Sequence, residues 1–86
     1  MPRVSQFFGI LITMYYNDHL PPHFHAIYGE DEALFEIDTL AVYAGSLPRR
    51  ANALVLEWAA LYCDELRANW EKARQGVQLD FIPPLD

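Results

Sequence analysis

The hydrophobic pattern of this chain changes period once, at Gly45, and this change limits the folds open to the chain. Before Gly45, apolar and polar residues alternate in short segments with the two-residue period of β-strands. After Gly45, apolar residues recur every three or four positions, as on an amphipathic helix. These helical positions are Ala51, Leu54, Val55, Trp58, Leu61, Tyr62, Leu66, Trp70 and Ala73. The pattern predicts an α+β fold in which a sheet precedes the helical part.

The first half of the chain predicts a small antiparallel β-meander of three to four strands. The strand pattern is clearest over residues 10–16, 23–29 and 32–38. Residues 40–45 and 4–8 are candidates for further short strands. The connections between these segments are short, which favours antiparallel pairing of successive strands.

The second half predicts one C-terminal helix that is either long or broken into two segments. Ser46 suits its N-cap and Gly76 suits its end. An unbroken helix over residues 47–75 would be about 43 Å long. A domain of this size has a radius of gyration of only about 12 Å. We therefore expect a break near residue 63, with Asp64 capping the second segment.

Eighty-six residues form one domain, divided into a sheet segment (1–45), a helical segment (46–76) and a tail (77–86). The tail carries apolar residues before two prolines and either packs back on the fold or docks on a partner. A hydrophobic fraction of 52% is high for so small a domain. It favours a partner, or a second copy in a homodimer, that covers part of the apolar surface.

The sequence also bears on where the protein works. No apolar run approaches the roughly 20 residues that span a bilayer, and the apolar N-terminal stretch has the pattern of a strand rather than of a signal peptide. Cys63 is the single cysteine, which suits a reducing compartment. We therefore expect a cytoplasmic protein without a membrane partner.

The charges are unevenly distributed along the chain. The net charge is −6, which argues against non-specific binding to nucleic acid. Residues 1–48 contain one arginine and six carboxylates, whereas residues 49–76 contain five basic and four acidic groups. The helical half therefore leaves local contact with RNA or an acidic partner open, beside the simpler alternative of a solvated face with mixed charges.

All three histidines of the chain fall within seven residues, in the pattern D-H-x3-H-x-H. In a strand, His23 and His25 point to one face, and the double proline before them holds the chain extended. Imidazoles and a neighbouring carboxylate bind divalent metals and also transfer protons near neutral pH. Asp18, His19, His23 and His25 are therefore the candidate catalytic residues, and the three histidines the candidate metal ligands. The competing interpretation is that these are half-buried strand and turn residues.

A second group of residues is a candidate for partner or substrate binding. Two cations at the start of the helical segment would offset phosphate charge, and the two tryptophans would either stack on bases or belong to the core. A glutamate on the helix would pair with a histidine or an arginine. An asparagine near the end of the helix would cap that helix or contact a partner or substrate. These residues are Arg49, Arg50, Glu57, Trp58, Asn69 and Trp70.

Three segments of the chain together carry a family resemblance. They are NDHLPPHFHAIYGEDEALFEID, GSLPRRANALVLEWAALYCDEL and NWEKARQG. The chain resembles the bacterial domain-of-unknown-function 4160 (DUF4160) family over nearly its whole length. The resemblance implies a toxin component of a type II toxin–antitoxin module, encoded beside a small antitoxin of the DUF2442 type. The positions that match the family pattern are Asp18, His19, Pro21, Pro22, His23, His25, Glu57, Trp58, Asn69 and Trp70.

Three functions therefore stay open at this point. In the first, a toxin binds its antitoxin and cleaves RNA: His23 or His25 takes the 2′-hydroxyl proton, another histidine protonates the leaving oxygen, and Asp18 orients His19. In the second, the domain is a non-catalytic binding or regulatory module. In the third, it binds a divalent metal ion. All three uses of the segment depend on at least two imidazoles turning towards the same small volume.

Overall fold

The structure is a computed structural model that describes residues 3–86, so residues 1 and 2 of the expected sheet segment lie outside the described residues. It confirms the α+β class. The described chain forms five strands, β1 (Arg3–Phe7), β2 (Ile10–Thr13), β3 (His23–Tyr28), β4 (Asp31–Glu36) and β5 (Val42–Gly45). Two helices follow, α1 (Arg49–Leu61) and α2 (Cys63–Gln75).

The sheet is an antiparallel meander in the order β1-β2-β3-β4-β5, as predicted, but it has five strands rather than three to four. Both of the weaker candidate segments join it. Phe8 and Gly9 have positive φ angles of 48° and 78° and close a two-residue hairpin in which Phe7 pairs with Ile10. Turns with two positive φ angles match the twist of paired strands, so this turn fixes β1 against β2.

The helical part is broken at Tyr62, one residue before the expected position. The two caps expected at the helix starts are wrong. Neither helix has a side-chain N-cap: the cap positions belong to Pro48 and Tyr62, and Asp64 lies in the first turn of α2. A carboxylate there still stabilises the helix, because it faces the positive end of the helix dipole. Gly76 ends α2 in the left-handed conformation, as predicted.

The core lies between one face of the sheet and the two helices. Trp58 of α1 packs against Phe7 and Phe24, with ring centroids 5.3 and 5.8 Å apart, and Phe24 stacks on Phe35 of the neighbouring strand. On the opposite face of the sheet, Leu11, Ile27 and Leu34 remain half-buried. Within residues 3–86, no helix is long and apolar enough to cross a membrane.

The tail packs back on the fold, which was one of its two predicted placements. Ile82 is buried, and its N–H donates to the carbonyl of Val4 at 2.7 Å. The indole N–H of Trp58 donates to the carbonyl of Pro83 at 2.9 Å. The tail thus covers the β1 edge of the sheet, while the β5 edge has no strand beside it within the described chain.

Gly45, at the end of β5, is a position where only glycine fits. Its φ angle is 72°, and an added Cβ would lie 2.1 Å from the backbone oxygen of Glu32. Gly76 has the same φ angle but open space around it. We expect Gly76→Ala to lower the free energy of unfolding by about 1 kcal/mol, and Gly45→Ala to lower it at least twice as much because backbone must also shift. Urea unfolding followed by circular dichroism measures both losses. Equal losses would contradict the contact at Glu32.

Candidate metal centre

The loop between β2 and β3 (residues 14–22) brings Asp18 beside the histidines of β3. Two backbone hydrogen bonds hold this loop: Asn17 N–H donates to the carbonyl of Ala73 in α2, and Ile37 N–H donates to the carbonyl of Pro22. His23 and His25 lie two residues apart on one strand and so share a face. Their ring centroids are 5.2 Å apart, which confirms that the two imidazoles turn towards one volume.

His23 is buried and presents its Nε2 atom to this volume. Its Nδ1 lies 2.7 Å from the carbonyl oxygen of Pro21. Because a carbonyl only accepts hydrogen bonds, Nδ1 carries the proton, and in the neutral imidazole Nε2 carries a lone pair. Nε2 lies 2.9 Å from Asp18 Oδ2, which is an ion-pair contact only when the ring is protonated, and this buried nitrogen makes no hydrogen bond.

His25 is arranged in the same way. Its Nδ1 lies 3.0 Å from Glu32 Oε2, and since a carboxylate only accepts, Nδ1 again carries the proton. Its Nε2 lies 3.4 Å from Asp18 Oδ2: it donates to this carboxylate when it carries a proton, and it offers a lone pair when the ring is neutral. Both imidazoles are thus held through Nδ1–H by an oxygen, which is how proteins orient histidines that bind metal through Nε2.

Asp18 supplies the negative charge of the cluster. Its Oδ1 accepts hydrogen bonds from the backbone N–H of His19 at 2.9 Å and from His19 Nδ1 at 2.8 Å. Burial raises the pKa of the carboxyl, but the hydrogen bonds from the side chain and backbone N–H of His19, together with His25 and His23 when their rings are protonated, outweigh burial and lower the pKa to about 2. The carboxyl is therefore ionised at neutral pH and leaves Oδ2 facing the two Nε2 atoms.

Three possible ligand atoms therefore lie in one place. Asp18 Oδ2, His23 Nε2 and His25 Nε2 all lie within 4.8 Å of one another. Three lone pairs brought together repel unless a positive species lies between them. A proton on His25 would satisfy the contact between His25 and Asp18 but would leave the buried Nε2 of His23 without a partner. A metal ion would satisfy all three atoms.

Aromatic rings enclose the cluster. The rings of Trp70 and Tyr43 lie 5.3 Å from that of His23, and the ring of Tyr15 lies 4.6 Å from that of His25. Burial raises the pKa of the Tyr43 phenol, and the negative charges of Asp18 and Glu36 raise it further. The phenol therefore stays protonated and remains a hydrogen-bond donor at the border of the cluster.

The family model described as a domain of unknown function (DUF4160) matches residues 9–71, which is more than half of the chain. The chain belongs to the DUF4160 family. The match spans β2 to most of α2 and includes the cluster of Asp18, His23 and His25. Searches of curated proteins and of solved structures found no match to the chain.

The DUF4160 domain brings together three of the four candidate catalytic residues. His19 supplies no ligand atom: it donates to Asp18 Oδ1 and packs edge-on against the ring of His23, and its side chain is 71% exposed. The candidates for partner or substrate binding do not form one exposed surface. Arg49 and Arg50 are exposed at the start of α1 and Glu57 is exposed farther along it, whereas Trp58, Asn69 and Trp70 are buried.

Asn69 of the DUF4160 domain binds the tail of its own chain. Its side-chain Nδ2 donates to the carbonyl of Asp80 at 2.9 Å, and its Oδ1 accepts from the N–H of Asp80 at 3.0 Å. We expect Asn69→Ala to lower the free energy of unfolding by about 2 kcal/mol, because two partly buried backbone groups of Asp80 lose their partner. Hydrogen exchange should rise at residues 80–82, whereas the exposed substitution Gln78→Ala should leave both measurements unchanged. Unaltered exchange in the Asn69→Ala variant would contradict this role.

Sequence reasoning missed two residues at the border of the cluster, Glu32 and Tyr43. Glu32 was within reach of prediction: the two-residue turn at 29–30 sets the register in which His25 faces Leu34, so that Glu32 becomes a diagonal neighbour of His25. The position of Tyr43 could not be predicted from the sequence. The β4–β5 register shifts between Leu34 and Phe35, and the extra residue in β5 changes the direction in which that strand presents its side chains.

Proposed function

We propose that this domain binds one divalent transition-metal ion, of the zinc class, through Asp18 Oδ2, His23 Nε2 and His25 Nε2. The observation that carries the proposal is the buried Nε2 of His23, which makes no hydrogen bond and lies in one group with Asp18 Oδ2 and His25 Nε2. A cation among the three atoms converts their mutual repulsion into attraction.

The chemistry of the ligands favours a transition metal over magnesium or calcium. Imidazole nitrogen suits zinc, copper, iron and nickel, whereas magnesium and calcium prefer sites made of oxygen. The Pro21 carbonyl and Glu32 supply the outer hydrogen bonds that fix the two rings. Trp70 adds an apolar wall that limits access of water to His23.

Metal content and calorimetry test this proposal. Protein made without a histidine tag and stripped with chelator should take up about one zinc ion per chain in an isothermal titration. Zinc should also raise the midpoint of thermal unfolding, because an ion that binds only the folded chain stabilises it. Asp64→Asn, an exposed change on α2, serves as the control and should bind zinc as the wild type does. Uptake below about a tenth of an ion per chain would overturn the proposal.

We propose partner binding in a toxin–antitoxin pair as a second candidate function, supported by the free edge of the sheet. Every residue of β5 is exposed, and residues 39–48 contain no charge. An uncharged edge strand offers its backbone to an extended segment of another chain. The family resemblance suggests a small antitoxin of the DUF2442 type in a bacterial cytoplasm as this partner. The carboxylates of the sheet segment would favour a basic segment in that partner.

A charge placed on the edge tests the second candidate. Val42→Lys should abolish the complex with the purified neighbouring-gene protein in light scattering after size exclusion. Leu61→Lys, at an exposed apolar position on α1, should leave the complex intact. Failure of the wild type to form a complex, or formation of a homodimer through β5 instead, would overturn this candidate.

Histidine-driven RNA cleavage stays a prediction with less support. A general base must reach the 2′-hydroxyl of its substrate, and the side chain of His23 is fully enclosed by protein. The acidic sheet segment also disfavours the approach of a polyanion. Metal binding requires neither a contact with a 2′-hydroxyl nor the approach of a polyanion. It is therefore the better supported use of the same residues.

A further inference from the structure

The three ligand atoms lie at separations close to those that a tetrahedral ion requires, and they supply three of its four ligands. Ligands about 2.0–2.1 Å from a zinc ion lie roughly 3.3–3.4 Å apart in a tetrahedron. Asp18 Oδ2 lies 2.9 Å from His23 Nε2 and 3.4 Å from His25 Nε2. All three atoms lie within 4.8 Å of one another, so one ion can contact all of them.

No fourth ligand of the usual kind is available. Within residues 3–86, no further histidine, cysteine, aspartate or glutamate joins the group of three. Glu32, the nearest other acidic partner, accepts the hydrogen bond of His25 Nδ1 on the far side of that ring. Structural zinc sites are almost always closed by four protein ligands, whereas catalytic sites have three and hold water in the fourth position.

The remaining corner lies towards solvent. Exposure rises from 0% for the His23 side chain to 13% for His25 and 18% for Asp18. Next to Asp18 stands the exposed ring of His19, and next to His23 stands the partly exposed ring of Tyr43. His23 thus closes the inner side of the site, and the outer side is reached past Asp18 and His25.

We propose that the bound ion keeps this fourth coordination position open and takes an exchangeable ligand there, either water or a small oxygen- or nitrogen-donor anion. This rests on the proposed metal site. A divalent ion with one aspartate and two neutral imidazoles carries one net positive charge, which a monoanion neutralises. The acidic residues of the sheet segment disfavour polyanions at the same position. The site thus has the composition of a centre that activates water or binds a small ligand.

Cobalt substitution tests the open position separately from metal binding. Cobalt(II) replaces zinc and gives a visible spectrum that depends on its ligands. Addition of azide or acetate to the cobalt-loaded wild type should change this spectrum with saturation, and dialysis should reverse the change. A cobalt spectrum that does not respond to either anion would overturn the open position while leaving the metal site in place.

Two controls complete the experiment. The His25→Ala variant, which loses a ligand, should show no protein-bound cobalt spectrum for the anions to alter. The Asp64→Asn variant should respond to the anions as the wild type does, since Asp64 lies on the surface of α2. A wild type that gives no protein-bound cobalt spectrum at all would overturn both the proposed function and the open position.

Discussion

Replacing His25 with alanine is expected to lower the zinc affinity by more than about 100-fold, because loss of a ligand should exceed the 10–100-fold cost of losing an outer partner. His25 is suited to this test because its side chain is partly exposed and the fold does not depend on it as it does on His23. Competition against a chromogenic chelator measures the affinities. Circular dichroism confirms that the variant remains folded.

The chain supplies its own comparison for this change in His19. His19 donates to Asp18 Oδ1 and packs against the ring of His23, but it supplies none of the three ligand atoms, so it acts on the ion as an outer partner. We expect His19→Ala to lower the zinc affinity by about tenfold, the lower end of the effect of an outer partner. An equal loss in both variants, or a larger loss in His19→Ala, would contradict the assignment of ligands.

The largest effect on stability is expected from Trp58. This side chain is fully buried, contacts the rings of Phe7 and Phe24, and donates its indole N–H to the carbonyl of Pro83. Trp58→Ala should lower the free energy of unfolding by about 3–5 kcal/mol. The total free energy of unfolding of a domain is only about 5–15 kcal/mol. Urea unfolding should therefore begin at far lower denaturant concentration, with the tail released.

Trp58→Phe separates packing from the hydrogen bond. It keeps most of the ring volume but leaves the carbonyl of Pro83 without its donor. The expected loss is about 1–2 kcal/mol, the cost of an unmade hydrogen bond with a small cavity. A loss in Trp58→Phe as large as that in Trp58→Ala would mean that the tail contact, rather than the core, dominates the role of this residue.

The pattern of apolar residues was enough to predict the fold class and the meander, because side-chain period differs between strands and helices. The break in the helical part followed from length alone, and the molecule measures 34 × 25 × 23 Å, too short for a helix over 47–75. The caps were not predictable in the same way. Ser46 and Asp64 are good capping residues, but the chain enters each helix through Pro48 and Tyr62 instead.

The candidate site was predictable in part. Two-residue spacing on a strand was enough to bring His23 and His25 to one face. The placement of Asp18 depends on how the loop over residues 14–22 folds back. Two backbone hydrogen bonds hold that loop, one from Asn17 to Ala73 and one from Ile37 to Pro22, and no local sequence pattern predicts them. The exclusion of His19 from the group of ligand atoms depends on that same path, so the sequence alone gave four candidates where the structure assembles three.

The most direct measurement is the nitrogen NMR spectrum of the three imidazoles, recorded before and after one equivalent of zinc. The account predicts that the Nε2 signals of His23 and His25 move to positions typical of metal-bound nitrogen. Their Nδ1 atoms should remain protonated, held by the Pro21 carbonyl and Glu32, and the Nε2 of His19 should not bind. Unchanged Nε2 signals, or a doubly protonated His25 that persists with zinc present, would contradict the metal centre.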